Sequence, residues 1–191
     1  SKTYETGNRI IGCRAWRNSD DGYDLINCAA PVEISHCMAF FNGYQPAEDL
    51  TTFKSAGDGN GFKAGGWGMS AAVTKCPDVC PSHHVHHCMA YKNKANGFYS
   101  NHHLAGNTWE YNSASENRSN YEMKNRHSNT AEGAYDVPGY NHILCHNVSW
   151  NYRDKGHVTN YDPETCIMTN NSFLPQDSAF TVTAGMFVST D

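Results

Sequence analysis

The chain has 191 residues, enough for one domain with a substantial buried core. Charged residues make up only 17% and sum to −5, which argues against a nucleic-acid partner but not against a polyanion met through bound cations. No apolar run approaches a membrane span, so no membrane partner is expected, and twenty asparagines with sixteen glycines favour turns over long helices. Ser1 opens the chain with no initiator Met and no signal peptide, as expected of a mature or trimmed form. Eight cysteines suit an oxidising, extracellular compartment.

Six units repeat along the chain: IIGCRAWRN, EISHCMAFFN, VHHCMAYKN, WEYNSASEN, LCHNVSWN and IMTNNSF. Aligned, they place Ile10, Ile34, Val85, Trp109, Leu144 and Ile167 in one column. Cys13, Cys37, Cys88, Asn112, Asn147 and Asn170 follow, then Ala15, Ala39, Ala90, Ala114, Ser149 and Ser172. Large apolar, Cys or Asn, and small residues at fixed places are what stacked coils need, because equivalent residues then lie about 4.8 Å apart. The expected fold is all-β, a right-handed parallel β-helix in a single domain, with six coils over residues 8–173 and a tail over 174–191. Spacings of 24, 51, 24, 35 and 23 residues in the Cys/Asn column give a coil of about 23 residues. The excess is assigned to loops at 44–58 with 65–83, and at 124–141. The tail FTVTAGMFVSTD either lies across the last coil or leads away from it.

The register also sorts the sulfur. Cys13, Cys37 and Cys88 are expected as buried free thiols, while Cys76 and Cys80 in KCPDVCP are the disulfide candidates, together or with another loop cysteine. A zinc site from Cys76, Cys80 and the HHVHH run is disfavoured, because alternate strand histidines point to opposite faces. The sequons at Asn117, Asn147 and Asn170 fall mostly on ladder positions, so glycosylation is not expected there.

A second set of columns holds the chemistry. DGYDL, NGFKA, NGFYS and SNYEM align Tyr23, Phe62, Phe98 and Tyr121, and after them Asp24, Lys63, Tyr99 and Glu122. The latter four should project from one face, with Lys63 one strand from Asp24. Asp20, Asp21 and Asp24 are hard oxygen donors crowded at a turn, the type of set that Ca²⁺ selects; alone they could equally be a solvated acidic turn. Lys63 could be a plain ion-pair partner of Asp24, but a nearby Ca²⁺ would favour its neutral amine and make it a usable base. On the same side stand Asn101, His102 and His103 in SNHH, and Tyr121, Lys124 and Arg126 in NYEMKNR. Cations and rings of this kind suit a chain of acidic sugars, although each taken singly could be a solvated side chain. Trp67 is either a stacking platform or a loop anchor.

At RAWRNSDDGYDLIN, CMAFFNGY, GDGNGFKAGG, HHCMAYKNKANGFYSNHH and NRSNYEMKNR the sequence resembles the family 9 polysaccharide lyases, pectin-degrading enzymes of the parallel β-helix type. The resemblance covers roughly residues 8–173. It implies that Asp20, Asp21 and Asp24 ligate a catalytic Ca²⁺ and that Lys63 is the Brønsted base. SNHHLAGN and NYEMKNR look more like the rhamnogalacturonan endolyases than the pectate lyases. The implied reaction is β-elimination at a galacturonate of an acidic plant cell-wall polysaccharide. The family carries one more calcium-binding Asp about a coil before SDDGYD, and this chain starts after it. Either the chain is a fragment, or a shortened member fills that place from residues 1–8, for instance with Glu5, or with water; a truncated form is expected, monomeric or associating through an uncapped end. The rival readings are a pectate lyase, a non-catalytic carbohydrate-binding β-helix, and a glycoside hydrolase with two carboxylates astride the bond.

Overall fold

Each repeat unit folds into a coil of three short strands joined by sharp corners. The computed structural model describes residues 6–67, 79–128, 133–174 and 182–186. Sheet I stacks Asn8–Ile11, Val32–Ser35, His84–His86, Thr108–Glu110, Ile143–Cys145 and Ile167–Thr169. Sheet II stacks Arg14–Trp16, Met38–Phe40, Met89–Tyr91, Ser113–Ser115 and Val148–Trp150. Sheet III stacks Tyr23–Asp24, Phe62–Lys63, Phe98–Tyr99, Ser119–Glu122 and Gly156–Thr159. All pairings within these sheets are parallel, so the chain is a parallel β-helix with six coils in sheet I, as the repeats predict.

The register is fixed from inside. Ile34, Val85, Trp109 and Leu144 fill the core from sheet I, and the small Ala39, Ala90 and Ala114 line sheet II. Sheet III contributes a stack of rings: Tyr23 on Phe62 at 4.8 Å, Phe62 on Phe98 at 4.9 Å, and Phe98 on Tyr121 at 5.0 Å between centroids. These spacings match the strand separation, so each ring meets the next without bending the sheet.

Corners need more than packing, because their backbone N–H groups are buried. Between sheets II and III, Asn42 Oδ1 accepts from the N–H and side-chain amide of Asn18. Asn93 does the same for Asn42, and Asn117 for Asn93. Between sheets I and II, Asn147 Oδ1 accepts from Asn112 N, and Asn171 Oδ1 from Asn147 N. Cysteine does the same work in the earlier coils: Cys37 Sγ takes Cys13 N at 3.3 Å and Cys88 Sγ takes Cys37 N at 3.4 Å. The Cys/Asn column of the sequence is thus a column of inward acceptors. Gly22, Gly61 and Gly97 precede sheet III where the coils crowd this ladder; a Cβ on Gly61 would lie 2.6 Å from Gly97 O and 2.9 Å from Asn93 Nδ2.

The sequence reading needs three corrections here. Cys37 and Cys88 are buried, with burial pushing the Cys88 thiol up to about 12, but Cys13 is exposed because no described coil covers its open side. The last coil is one residue out: Leu144 pairs with Met168, not Ile167, and Asn171, not Asn170, takes the ladder position. Asn170 is consequently exposed, whereas the sequon residues Asn117 and Asn147 are buried. The coil is therefore 24 residues where uninterrupted, as in Ile10↔Ile34, Val85↔Trp109 and Leu144↔Met168. The HHVHH histidines diverge, with His83 fully buried and His84 and His86 facing Glu110 and Glu33. Cys76 and most of the tail lie outside the described residues.

Two insertions form antiparallel hairpins, Tyr44–Pro46 with Phe53–Ser55 and Asn125–Arg126 with Asp136–Val137. The first leaves its coil just before sheet III and the second just after it.

Two expectations follow for stability. Asn93→Ala removes an acceptor of two bonds and a donor of two and should lower the unfolding free energy by about 2–4 kcal/mol in urea titration, against less than about 1 kcal/mol for Asn18→Ala at the ladder's end. Burial holds His142 down to about 4 and His83 down to about 3. The unfolded imidazole, near 6.5, binds its proton first, so stability is full above about pH 6.5 and falls as pH drops towards 4 and below. Thermal unfolding at pH 7 and pH 4.5 measures this, and His142→Gln should flatten the slope.

Candidate active site

Sheet III presents Asp24, Lys63, Tyr99 and Glu122 on successive coils, Asp24 pairing with Lys63, Lys63 with Tyr99 and Tyr99 with Glu122. The inward neighbours are the stacked rings, so strand alternation alone directs this column outward. The acidic turn before Asp24 is tied to the GDGN segment of the next coil. Asp20 Oδ1 accepts from Asp58 N at 2.6 Å, and Asp21 Oδ1 accepts from the N–H and side-chain amide of Asn60 at 2.6 and 2.9 Å. Asn60 in turn serves Asn96. Asp21 therefore occupies the first place of a third asparagine-type ladder, with a carboxylate where the next two coils carry an amide.

That exchange leaves one oxygen over. Asp21 Oδ2 is buried and accepts no well-aligned hydrogen bond, yet lies 3.0 Å from Lys63 Nζ as an ion pair. Lys63 also donates to Asp24 Oδ2 at 3.2 Å and lies 3.7 Å from Asp58 Oδ2. The lysine is only 9% exposed. Burial pulls its pKa down, but Asp21 and Asp24 outweigh that and hold it above the ordinary lysine value. With these carboxylates turned on it, Lys63 is firmly an ammonium ion.

Among the described residues, Asp20, Asp21 and Asp58 offer carboxylate oxygens within 4.8 Å of one another. Three hard anionic donors, one with a buried oxygen lacking a hydrogen bond, fit a hard divalent cation such as Ca²⁺. The convergent trio differs from the expected Asp20, Asp21 and Asp24: Asp24 spends one oxygen on Ile26 N and the other on Lys63. Asp58 was missed although it stands inside GDGNGFK, five residues before the lysine. Its signal was the motif itself, since the repeat columns do not include it.

The proposed substrate contacts separate into two groups. His102, Lys124 and Arg126 converge on Asp136 from the second hairpin, at 2.6, 3.8 and 3.6 Å. Tyr99 links this group to the lysine column, its hydroxyl lying 2.8 Å from His102 Nε2. Burial lowers the His102 pKa, Asp136 works against that, and the two neighbouring cations reinforce the lowering. The other three are structural. Tyr121 is fully buried, its hydroxyl donating to Asn112 O and Val148 O, because it belongs to the inward ring column. His103 is fully buried, Nδ1 accepting from Gly66 N and Nε2 facing Pro81 O. Asn101 is nearly buried and donates to Gly65 O. These two pin the loop after Lys63 rather than facing solvent. Trp67, 3% exposed, is a loop anchor, and its carbonyl accepts from Arg126.

Residues 1–134 match the sequence profile described as the Pel9A-like, right handed beta helix region. The chain belongs to this family. The Pel9A-like chain also superposes on two solved structures. One, a rhamnogalacturonan lyase, gives a TM-score of 0.84 at 42% identity, covering 97% of this chain and 42% of that one. The other, pectate lyase Pel9A, gives 0.68 at 32% identity, covering 97% and 38%. Pectate lyase L of Dickeya dadantii is 36% identical over 143 residues, which are 75% of this chain and 28% of that protein. Pectate lyase PEL9 of Emericella nidulans is 34% identical over 112 residues. The chain thus spans under half the length of each of these relatives.

Since Asp136 is what props up the His102 pKa, Asp136→Ala should lower it further in an NMR titration of the imidazole. An unchanged or higher value would show that the 2.6 Å contact does not persist in solution.

Proposed function

We propose that the chain carries a calcium-assisted polysaccharide lyase centre, acting on rhamnogalacturonan I by β-elimination at galacturonate, in an extracellular setting. The observation that carries this reading is Lys63: a nearly buried amine ringed by Asp21, Asp24 and Asp58, beside the trio Asp20, Asp21 and Asp58. A simple surface ion pair would need neither the burial nor three carboxylates for one ammonium.

In this reading Asp20, Asp21 and Asp58 hold the cation, with Asp24 beside them. Bound calcium would supply positive charge to the uronate carboxyl, acidifying the C5 proton, and would offset the carboxylates' hold on Lys63. Lys63, once neutral, takes the C5 proton. The C4–O4 bond breaks as the C4–C5 double bond forms, and the leaving oxygen gains a proton. His102, Lys124 and Arg126, gathered 2.6–3.8 Å from Asp136, are cations able to bind and orient neighbouring carboxylates of the polymer. A role for Lys63 as base also explains why its column is backed by the rigid ring stack, since proton transfer needs a fixed donor–acceptor distance.

The rhamnogalacturonan assignment rests on the likeness to the solved rhamnogalacturonan lyase, 42% identical against 32% for Pel9A. A pectate lyase is the second reading, favoured by the names of the Dickeya dadantii and Emericella nidulans relatives. A glycoside hydrolase would leave Lys63 without a task. The deciding experiment incubates the protein with rhamnogalacturonan I and with polygalacturonate, each with calcium or with a chelator, and follows the ultraviolet absorbance of the unsaturated uronate. Absorbance should rise on rhamnogalacturonan I with calcium only. Lys63→Ala should reduce the rate by at least about 10³-fold while keeping the β-sheet circular dichroism. Full activity in that variant would remove the base assignment, and undiminished rates in chelator would remove the metal.

A further inference from the structure

Around the corner from Lys63, the turn between sheets II and III carries Arg17, Phe41, Lys92 and Glu116 at equivalent places on four successive coils. All four are left-handed, with φ of 52°, 55°, 49° and 54°. The adjacent asparagines turn inward to make the ladder, while these side chains fan outward at strand spacing. The first hairpin folds over them, adding Phe53 and Tyr44, and Arg153 closes the far end. The result is a pocket of about 380 Å³ outside the candidate active site.

Its chemistry is unusual for a chain of net charge −5. Three cations meet a single carboxylate, Glu116, whose partner Lys92 lies 3.6 Å away. The Arg17 guanidinium sits 4.7 Å over the Phe53 ring and has no hydrogen bond or ion pair among the described residues. One guanidinium nitrogen of Arg153 donates to the Asn93 and Lys94 carbonyls, which fixes the group and leaves its other N–H donors available. Phe41 and Phe53 are 38% and 44% exposed, a large apolar outlay for surface residues. Guanidinium donors that can grip a carboxylate beside half-exposed aromatic rings suit a hexuronate, carboxyl on cation and pyranose C–H face on the ring surface that Arg17 and Lys92 leave uncovered. A simple phosphate would use the cations and waste the rings.

The pocket is joined to the candidate active site through the chain, with no lining residue in common. Arg17 stands three residues before Asp20, and Phe53 five residues before Asp58. Lys94 clamps that second stretch by donating to the carbonyls of Ala56 and Gly57. We infer that this corner pocket is an accessory subsite that holds one uronate residue of an acidic polysaccharide, away from the bond that is cut. The choice of polymer rests on the lyase reading; the occupancy of the pocket by an acidic sugar does not.

The test measures binding of galacturonate oligomers, three to five sugars long, by titration calorimetry in the presence of chelator. Arg17→Ala and Phe53→Leu should each weaken binding about tenfold, and methyl-esterified oligomers should bind the unmodified protein about tenfold more weakly. Phe53→Leu keeps an apolar side chain in the hairpin, so a loss there reports the ring rather than unfolding. On polymer, Arg17→Ala should raise KM about tenfold with less than a twofold change in kcat. Oligomer binding that is unaltered in both variants, or equal for esterified and free oligomers, overturns the proposal. Arg17- and Phe53-dependent binding without any unsaturated product supports the subsite and sinks the lyase reading instead.

Discussion

Every coil of this fold must find an acceptor for backbone N–H groups that its corners bury, and the acceptor has to come from the coil next to it. Asn42, Asn93 and Asn117 supply it at one corner, Asn147 and Asn171 at another. Cys37 and Cys88 show how little chemistry the job requires, since a thiol sulfur of the right size substitutes for an amide oxygen. The ladders set coil spacing, the ring stack in sheet III fits that spacing, and the outward column Asp24–Lys63–Tyr99–Glu122 inherits it.

The same device creates the charged centre. At the third corner, Asp21 takes the place that Asn60 and Asn96 hold in the coils above, and it accepts the ladder bonds with a single oxygen. An amide there would have a neutral donor to dispose of; the carboxylate has a buried negative oxygen facing Lys63. One substitution in a structural column thus converts a scaffold position into an electrostatic one. Asp20 and Asp58 crowd the remaining space, so the lysine's high pKa and the crowding of the acids are two aspects of a single arrangement.

The fold was legible because its determinants are periodic. The apolar and small columns of the sequence are those that pair through the first five coils, and Lys63 falls beside Asp24 as the register requires. The slip in the last coil has a local cause: two consecutive asparagines permit two registers, and only the hydrogen bond from Asn147 N selects Asn171. Tyr121 was misplaced against the pattern's own logic, for it shares a column with Phe62 and Phe98 and must point inward. Asn101 and His102 are themselves left-handed, and His103 follows them, so the alternation rule no longer holds there. Asp58 and Asp136 fall outside the repeat columns for a different reason: each is delivered by an inserted segment whose return path the periodicity does not encode, so only the GDGNGFK motif pointed to Asp58 and nothing pointed to Asp136.

Those insertions bear on how such a molecule can change. Each hairpin departs from a corner and rejoins the coil on the correct strand, so its length is independent of the core that fixes the spacing: Ile34 still pairs with Val85 and Trp109 with Leu144. Loop-closure entropy rises only slowly with length, so residues added at either place carry a small thermodynamic penalty. Evolution could thus lengthen, shorten or exchange the segments that deliver Phe53, Asp58 and Asp136 while the coils beneath stay as they are. The rim would then be remodelled by loop replacement, with no repacking of the interior.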